Sequence, residues 1–511
     1  MTVQIVRGHQ IVCGVEAGEA QVVDDGAVVV QSGSIVAVGT FSELAPKYPD
    51  GIVVGGTDKI VFPGLVDAHH HLGVTPVQHG SPDLPLELWI VDLMGARSVD
   101  PYLDTLYSAF ELARSGVTTV QHLPYPIPGS TDDVCKGAAA MIAAYKAIGM
   151  RVSYGQSVTD QNHIVYGDDE QFISGLPSDL QPVFRDSVAS SALTIEQSTE
   201  IFARLAEQFT DDPLVAIQLA PDNLHWCSDT ALETVRDLSA TQGVPMHMHL
   251  LETPYQKAYA HKRCGHSPVE HLRELGLLSP ALTLGHGVWT TKADLELLSE
   301  TGVRVCHNCS SNQRLRSGTA PLNAMLEHGI EVALGIDEAG INDDRDMLQE
   351  LRMVLRAHRV PGIEARVPSP AEVFQMASEY GARTTGFGDQ IGVLKPGRAA
   401  DLVMVDYDRL RFPYLDADVP IVDALVQRAR TGDVHSVMVG GELIIEDAEF
   451  TKIDEQGALG ELAASLRVPL SDAELERRRV ARAARPYVEA FYRHYLDGID
   501  CEPFYRTNSQ L

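Results

Sequence analysis

The sequence predicts an α/β protein built on a parallel (β/α)8 TIM barrel, and three observations carry that expectation. Eight short apolar runs are spread through the middle of the chain, amphipathic segments separate many of them, and polar residues crowd the ends of the runs. Eight strands joined by helical crossovers are what such a barrel requires. A doubly wound open sheet would also alternate, so the count favours a barrel without excluding the sheet.

The runs, in chain order, are FPGLVDAH, GVTTVQHL, GMRVSYGQ, LVAIQLAP, VPMHMHL, LTLGHGV, GVRVCHN and VALGID. Segments such as DTALETVRDLSATQG lie between them, with apolar residues three or four apart, the spacing of one helix face. Before the barrel, residues 1–62 read as short strands bounded by Gly and Asp, as in AVVVQSGSIVAVG. The same texture returns in IGVLKPGRAADLVMVD and VHSVMVGGELIIED. These flanking blocks, 1–62 and 386–450, are candidates for one small β-domain, although periodicity alone does not pair them. The barrel then occupies 63–385. Residues 451–511 read as a charged helical extension that packs on the barrel or on a neighbouring subunit. Its basic stretch ERRRVARAAR is expected to be a solvated helix face.

Composition narrows the function. With 511 residues and 44% apolar content the chain is long enough for one large domain and a smaller one. Forty basic against seventy acidic residues give a net charge of −30, which argues against nucleic acid as a partner, because phosphate contacts draw on Lys and Arg. Seven scattered cysteines fit a reducing compartment better than a disulfide framework. The first residues, MTVQIVRGHQIVCG, do not read as a signal peptide, and no apolar stretch approaches the roughly 20 residues that span a bilayer. The expectation is a cytoplasmic enzyme acting on a small molecule, with no membrane partner.

Four strand ends carry the chemistry. In FPGLVDAHHHLG, His69 and His71 are two apart and project to one face of an extended strand, while His70 faces away. Two imidazoles from one strand are a natural start for a metal site. In VPMHMHLLET, His249 is the candidate third ligand and His247 a hydrogen-bonded neighbour. Glu252, three residues on, is placed to shuttle a proton from an activated water. His286 ends LTLGH, and Asp337 ends VALGID, where a carboxylate after an apolar strand is costly unless paired or ligating.

With these residues in view, PGLVDAHHHL, HLLET, LGHGVW, CHNCSSNQRLRSGTAPL and GIDEAGIND resemble the successive motifs of the amidohydrolase superfamily. More narrowly they resemble its aminohydrolase and chlorohydrolase branch, and HLLET resembles the methylthioadenosine and adenosylhomocysteine deaminase group. HGSPDLPLELWI and GVLKPGRAADLVMVD are similar to further segments of that branch. The resemblance implies a (β/α)8 barrel with a composite β-sandwich domain from both termini, and a homodimer. It implies one divalent metal held by His69, His71, His249 and Asp337, zinc by default, with iron, cobalt or manganese fitting the same ligands. Glu252 becomes the proton shuttle, Asp337 and His286 act on the water, and the implied reaction is hydrolytic deamination of an amino-substituted heterocycle or nucleoside-like molecule. Cleavage of an amide, urea or carbamate-like bond, or dechlorination of a triazine, is the alternative.

Related two-metal enzymes bridge their metals with a carboxylated lysine after the fourth strand. No lysine lies between Lys146 and Lys257, so a mononuclear site follows. Cys309 stands where the branch commonly has proline and makes a C-x-x-C with Cys306, and Arg316 stands where a smaller residue is usual. Further candidates for shaping the pocket are His122, Gln161, Asn162, His163, His225 and Trp226.

Overall fold

A computed structural model describes residues 3–499. Residues 500–511, including Cys501 and the end of the expected helical extension, lie outside the described residues.

All eight apolar runs form strands: β1 (Leu65–His70), β2 (Val117–His122), β3 (Arg151–Val158), β4 (Val215–Pro221), β5 (Met246–Leu250), β6 (Leu282–His286), β7 (Arg304–His307) and β8 (Val332–Leu334). They lie side by side in sequence order, parallel throughout, and a parallel bridge between His70 and Asp337 brings the last strand back to the first. The nearly closed parallel barrel settles the choice left open against a doubly wound sheet, whose strand order reverses at a switch point.

The closure is a polar device. Asp67, fully buried, accepts the Ile336 N–H at 3.0 Å and the His69 N–H at 3.3 Å, and the Asp337 N–H donates to the His69 carbonyl at 2.7 Å. Burial pushes the Asp67 carboxyl up to about 8 against the pull of these two bonds, so at neutral pH it carries its proton and costs no buried charge. Gly64, just before β1, is held to a hydrogen at its α-carbon, because a Cβ there would meet Thr118 Oγ1 at 2.1 Å.

The two terminal β-rich blocks do pair. Strand Lys59–Pro63 runs antiparallel to Leu402–Asp406, and together with strands from 10–24 and 434–450 they form one seven-stranded sheet. A four-stranded sheet from residues 3–55 faces it. Val6, Val28, Val30 and Ile35 from the smaller sheet pack on Ile11, Val61, Leu402, Met404 and Met438 from the larger. Two sheets with one shared apolar layer make a sandwich.

Among the helices are α1 (Leu86–Leu93), α2 (Thr131–Ile148), α3 (Pro254–Cys264), α4 (Cys309–Arg314), α5 (Met347–Ala357), α6 (Glu455–Arg467) and α7 (Asp472–Tyr492). Beyond the sandwich, α6 and α7 follow one another, and α7 packs on α1. Its buried face is Val480, Ala481, Ala484, Val488 and Tyr492, at helical spacing, while Arg479 of the basic stretch pairs with Glu476 in solvent. Among the described residues no helix is long and apolar enough to cross a membrane.

Candidate active site

Residues at the ends of β1, β5, β6 and β8 converge at the barrel mouth. His71 Nε2 lies 3.1 Å from His69 Nε2, 3.2 Å from His249 Nε2 and 3.1 Å from Asp337 Oδ1. All four side chains are at least nine-tenths withdrawn from solvent save His249, which is half-buried. Gly335 makes the approach of β8 possible, since a Cβ there would lie 2.5 Å from His69 Cβ and 2.6 Å from Asn308 Oδ1. His286 and Asp337 have φ of 72° and 68°, left-handed values that non-glycine residues avoid. Strain of that kind at two strand ends is characteristic of functional positions.

These donors fit a cation. Each imidazole spends its other nitrogen elsewhere: His71 Nδ1 on the Leu123 carbonyl (2.5 Å), His249 Nδ1 on the Asp222 carbonyl (2.8 Å), and His69 Nδ1 on His247 Nε2 (2.8 Å). The Nε2 lone pairs are thereby turned toward one another, which is how metal-ligating histidines are oriented. Spacings near 3.1 Å match ligands that sit about 2.0–2.1 Å from a shared zinc-like ion. His69, His71 and Asp337 offer three such atoms together, and His69, His249 and His286 another three. Electrostatics agree. Burial pushes His69 and His249 well below the usual imidazole range. His71 meets the same burial, but its bond to Asp337 and the charges of Glu338 and Asp337 outweigh it and bring it to about 9.

Glu252 and His286 flank this cluster. His286 Nε2 is 3.9 Å from Glu252 Oε2 and 3.7 Å from Asp337 Oδ2. Nδ1 of His286 meets Asn312 Oδ1 at 2.9 Å, where the ring donates, and the Asn308 amide nitrogen lies 3.3 Å from Nε2, which is left as an acceptor. Glu252 is held by Gln256 of α3, whose Nε2 donates to Oε2 (3.3 Å) and whose Oε1 accepts the Glu252 N–H (2.9 Å). Burial, then the neighbouring charges of Asp337 and Glu87, push the Glu252 carboxyl well above its ordinary range.

The remaining sequence candidates divide. His163 lines a cavity of about 50 Å³ with Tyr125 and Thr159; its Nδ1 meets Asp169 at 2.9 Å and its buried Nε2 has no partner among the described residues. His225 is fully buried, its ring tilted against that of Tyr166 with centroids 3.8 Å apart, and both ring nitrogens are unpartnered among the described residues. Gln161 and Asn162 instead spend their amides on the main chain: both donate to the His225 carbonyl, at 3.1 and 2.7 Å, and Gln161 also to that of Cys227. The Trp226 carbonyl accepts the N–H groups of Asp160 and Gln161. His122 is a core histidine rather than a pocket residue. It faces the helix layer, stacked on Tyr154 with Nδ1 on the Tyr145 hydroxyl at 3.0 Å, because it falls on the outward beat of β2. Arg316 is exposed. Cys306 and Cys309 are free thiols, the first packed on Ala68 and Ala333 and the second opening α4.

Sequence reasoning missed several residues that hold the site. Tyr125 stacks on His71 at 5.2 Å and its hydroxyl donates to Glu338. Ser311 donates to Asp337 Oδ2 at 2.7 Å. Ser311 and Asn312 lie in the quoted CHNCSSN segment, Glu338 follows Asp337, and Gln256 is one helical turn beyond Glu252. Tyr125 carries no such signal.

Comparison with known proteins decides the family. Residues 60–444 match the model of the amidohydrolase family, and residues 26–50 match an imidazolonepropionase-like composite domain of bacteria. The chain belongs to the amidohydrolase family. Among relatives, a 5-methylthioadenosine/S-adenosylhomocysteine deaminase of Syntrophobacter fumaroxidans is 32% identical over 431 residues, covering 83% of this chain and 89% of the relative. A protein of the same description from Pyrococcus furiosus is 29% identical, covering 85% and 96%. Among solved structures, an adenosine deaminase from Xanthomonas campestris with bound zinc superposes with a TM-score of 0.77 at 26% identity, covering 93% of this chain and 98% of that one. The amidohydrolase member described here thus shares its barrel and composite sandwich with hydrolases of carbon–nitrogen bonds.

Proposed function

We propose that this amidohydrolase is a zinc-dependent hydrolytic deaminase of an adenosine-like small molecule, releasing ammonia from an amino-substituted ring carbon. The observation that carries the reading is the convergence of three imidazole Nε2 atoms and one carboxylate beside a buried glutamate. The relatives described as deaminases of methylthioadenosine and adenosylhomocysteine support the substrate class, and the zinc in the Xanthomonas deaminase supports the metal.

His69, His71, His249 and Asp337 would hold the ion, and a divalent cation there would supply the Lewis acidity that makes water a nucleophile near neutral pH. The protein's own groups do the rest. Asp337, fixed by Ser311, and His286, fixed by Asn312, orient the attacking water through acceptor atoms on the same side of the pocket. Glu252 takes the proton of that water. Its raised affinity for protons suits it to keep the proton through the addition step and to pass it to the leaving nitrogen. Tyr125 and Glu338 close the side of the pocket over His71 and exclude bulk water.

The test is ammonia release by zinc-loaded protein across adenosine derivatives, amino-purines, pyrimidines, pterins and triazines. Glu252→Gln is expected to keep one equivalent of metal and lose about 10²–10⁴-fold in kcat. Silence across the panel in metal-replete protein would reject deamination and move the substrate to amide, urea and carbamate bonds.

A further inference from the structure

The family match ends at residue 444, yet the chain that follows reaches the candidate active site. Helix α7 lies along the C-terminal half of α1 and the turn after it. Arg485 pairs with Asp92 at 3.3 Å, Arg478 Nε donates to the Gly95 carbonyl at 3.2 Å, and Glu474 accepts the Ser98 N–H at 3.0 Å. At its last residue and one turn beyond, two tyrosines grip one residue of the loop after β3. The Tyr166 N–H donates to the Tyr492 hydroxyl at 3.0 Å, and the Tyr495 hydroxyl donates to the Tyr166 carbonyl at 2.8 Å. Val91, Val165, Ala258 and Val488 pack around them.

Both main-chain polar groups of Tyr166 are thus hydrogen-bonded, and its side chain reaches Glu87. Its hydroxyl donates to Glu87 Oε1 at 3.1 Å, the oxygen that also accepts from Thr253 Oγ1 at 2.5 Å. Thr253 follows Glu252 and caps α3 by accepting the Gln256 N–H, and Gln256 in turn holds the Glu252 carboxyl. The relay therefore runs from Tyr492 and Tyr495 through Tyr166, Glu87 and Thr253 to the turn that aims Glu252. Packing alone would be served by phenylalanines. Here both hydroxyls are spent on the two main-chain polar groups of the one loop residue that enters this network.

We propose that Tyr492 and Tyr495 are positioning residues of the reaction, so that the C-terminal segment outside the family domain is a working part of the active site. The inference rests on the role given to Glu252 above. The experiment compares the full chain with its Tyr492→Phe/Tyr495→Phe variant, which keeps both rings, in the wild-type and in the Glu252→Gln background. The expected result is a loss of about tenfold in kcat in the first background, the scale of one or two misaligned hydrogen bonds, and none in the second. Metal content stays at one equivalent, and amide exchange of residues 250–257 quickens. An equal loss in both backgrounds, or exchange that quickens around 164–167 while 250–257 stays protected, overturns the proposal. Should Glu252→Gln itself prove as active as wild type, the functional reading fails, and the exchange measurement still decides whether the tyrosines order the Glu252 turn.

Discussion

The two sides of the barrel mouth use polar residues differently. On the side of β1, β5, β6 and β8, His69, His71, His249, His286 and Asp337 aim their donor atoms at one point, each ring steadied through its other nitrogen. On the side of β2, β3 and β4, residues of the same types mostly serve the chain itself: Gln161 and Asn162 tie two loops together, and His122 fills the layer behind the barrel. The difference lies in the backbone beneath. A side chain on a strand has two directions, and residues two apart must share one. A loop leaves its own N–H and C=O groups unpaired, and nearby amides are recruited to satisfy them before any ligand is.

The sharpest way to break this contrast is to remove the carboxylate on which the first side depends. Asp337→Asn keeps the shape but loses the charge that holds His71 and balances a cation. We expect the metal content to fall below one equivalent and kcat to drop by about 10⁴-fold or more, since the reaction then loses its Lewis acid. Metal analysis alongside the rate checks it, and full metal with a wild-type rate would show that Asp337 is not part of the centre.

The other side should respond in stability instead. Asn162 sits at φ 55° and donates to the His225 carbonyl and the Tyr259 hydroxyl. Asn162→Ala removes the shorter of the two side-chain bonds to that carbonyl, leaving the one from Gln161, and puts alanine in a left-handed conformation, at a cost of about 1–3 kcal/mol. The melting temperature falls while metal content and kcat stay within about threefold of wild type. A collapse of kcat/KM with the melting temperature unchanged would place Asn162 on the substrate after all.

The same distinction explains what the sequence revealed. The eight strands were legible because each is a short apolar run with β-branched residues, and His69, His71, His249 and Asp337 were legible because they interrupt or end such runs. The sandwich pairing of Lys59–Pro63 with Leu402–Asp406 was not legible, since nothing local in either strand encodes a partner more than three hundred residues away. His122 was misassigned by proximity to a strand end, where the alternation of β2 sends it outward. Tyr125 and Tyr166 lie in loops, and only the folded chain shows that one covers His71 and the other reaches Glu87.

Glu87 lies where the two sides meet, accepting from Thr253 on one and Tyr166 on the other, and it offers the smallest effect. Burial raises its carboxyl to about 7 from an ordinary 4.5, although the bonds from Thr253 and Tyr166 pull the other way. A carboxyl raised on folding binds its proton more tightly in the folded chain. Its contribution to stability is therefore fully present below about pH 4.5 and is lost as pH rises through about 7. Between pH 5.5 and 8 the loss amounts to about 2 kcal/mol. Glu87→Gln keeps an acceptor for both hydroxyls and cannot ionise, so the variant should gain on wild type in melting temperature as the pH rises across that interval. Parallel melting curves for the two proteins would show that Glu87 stays ionised in the fold, and that the junction tolerates a buried charge which the rest of this mouth assigns to the metal cluster alone.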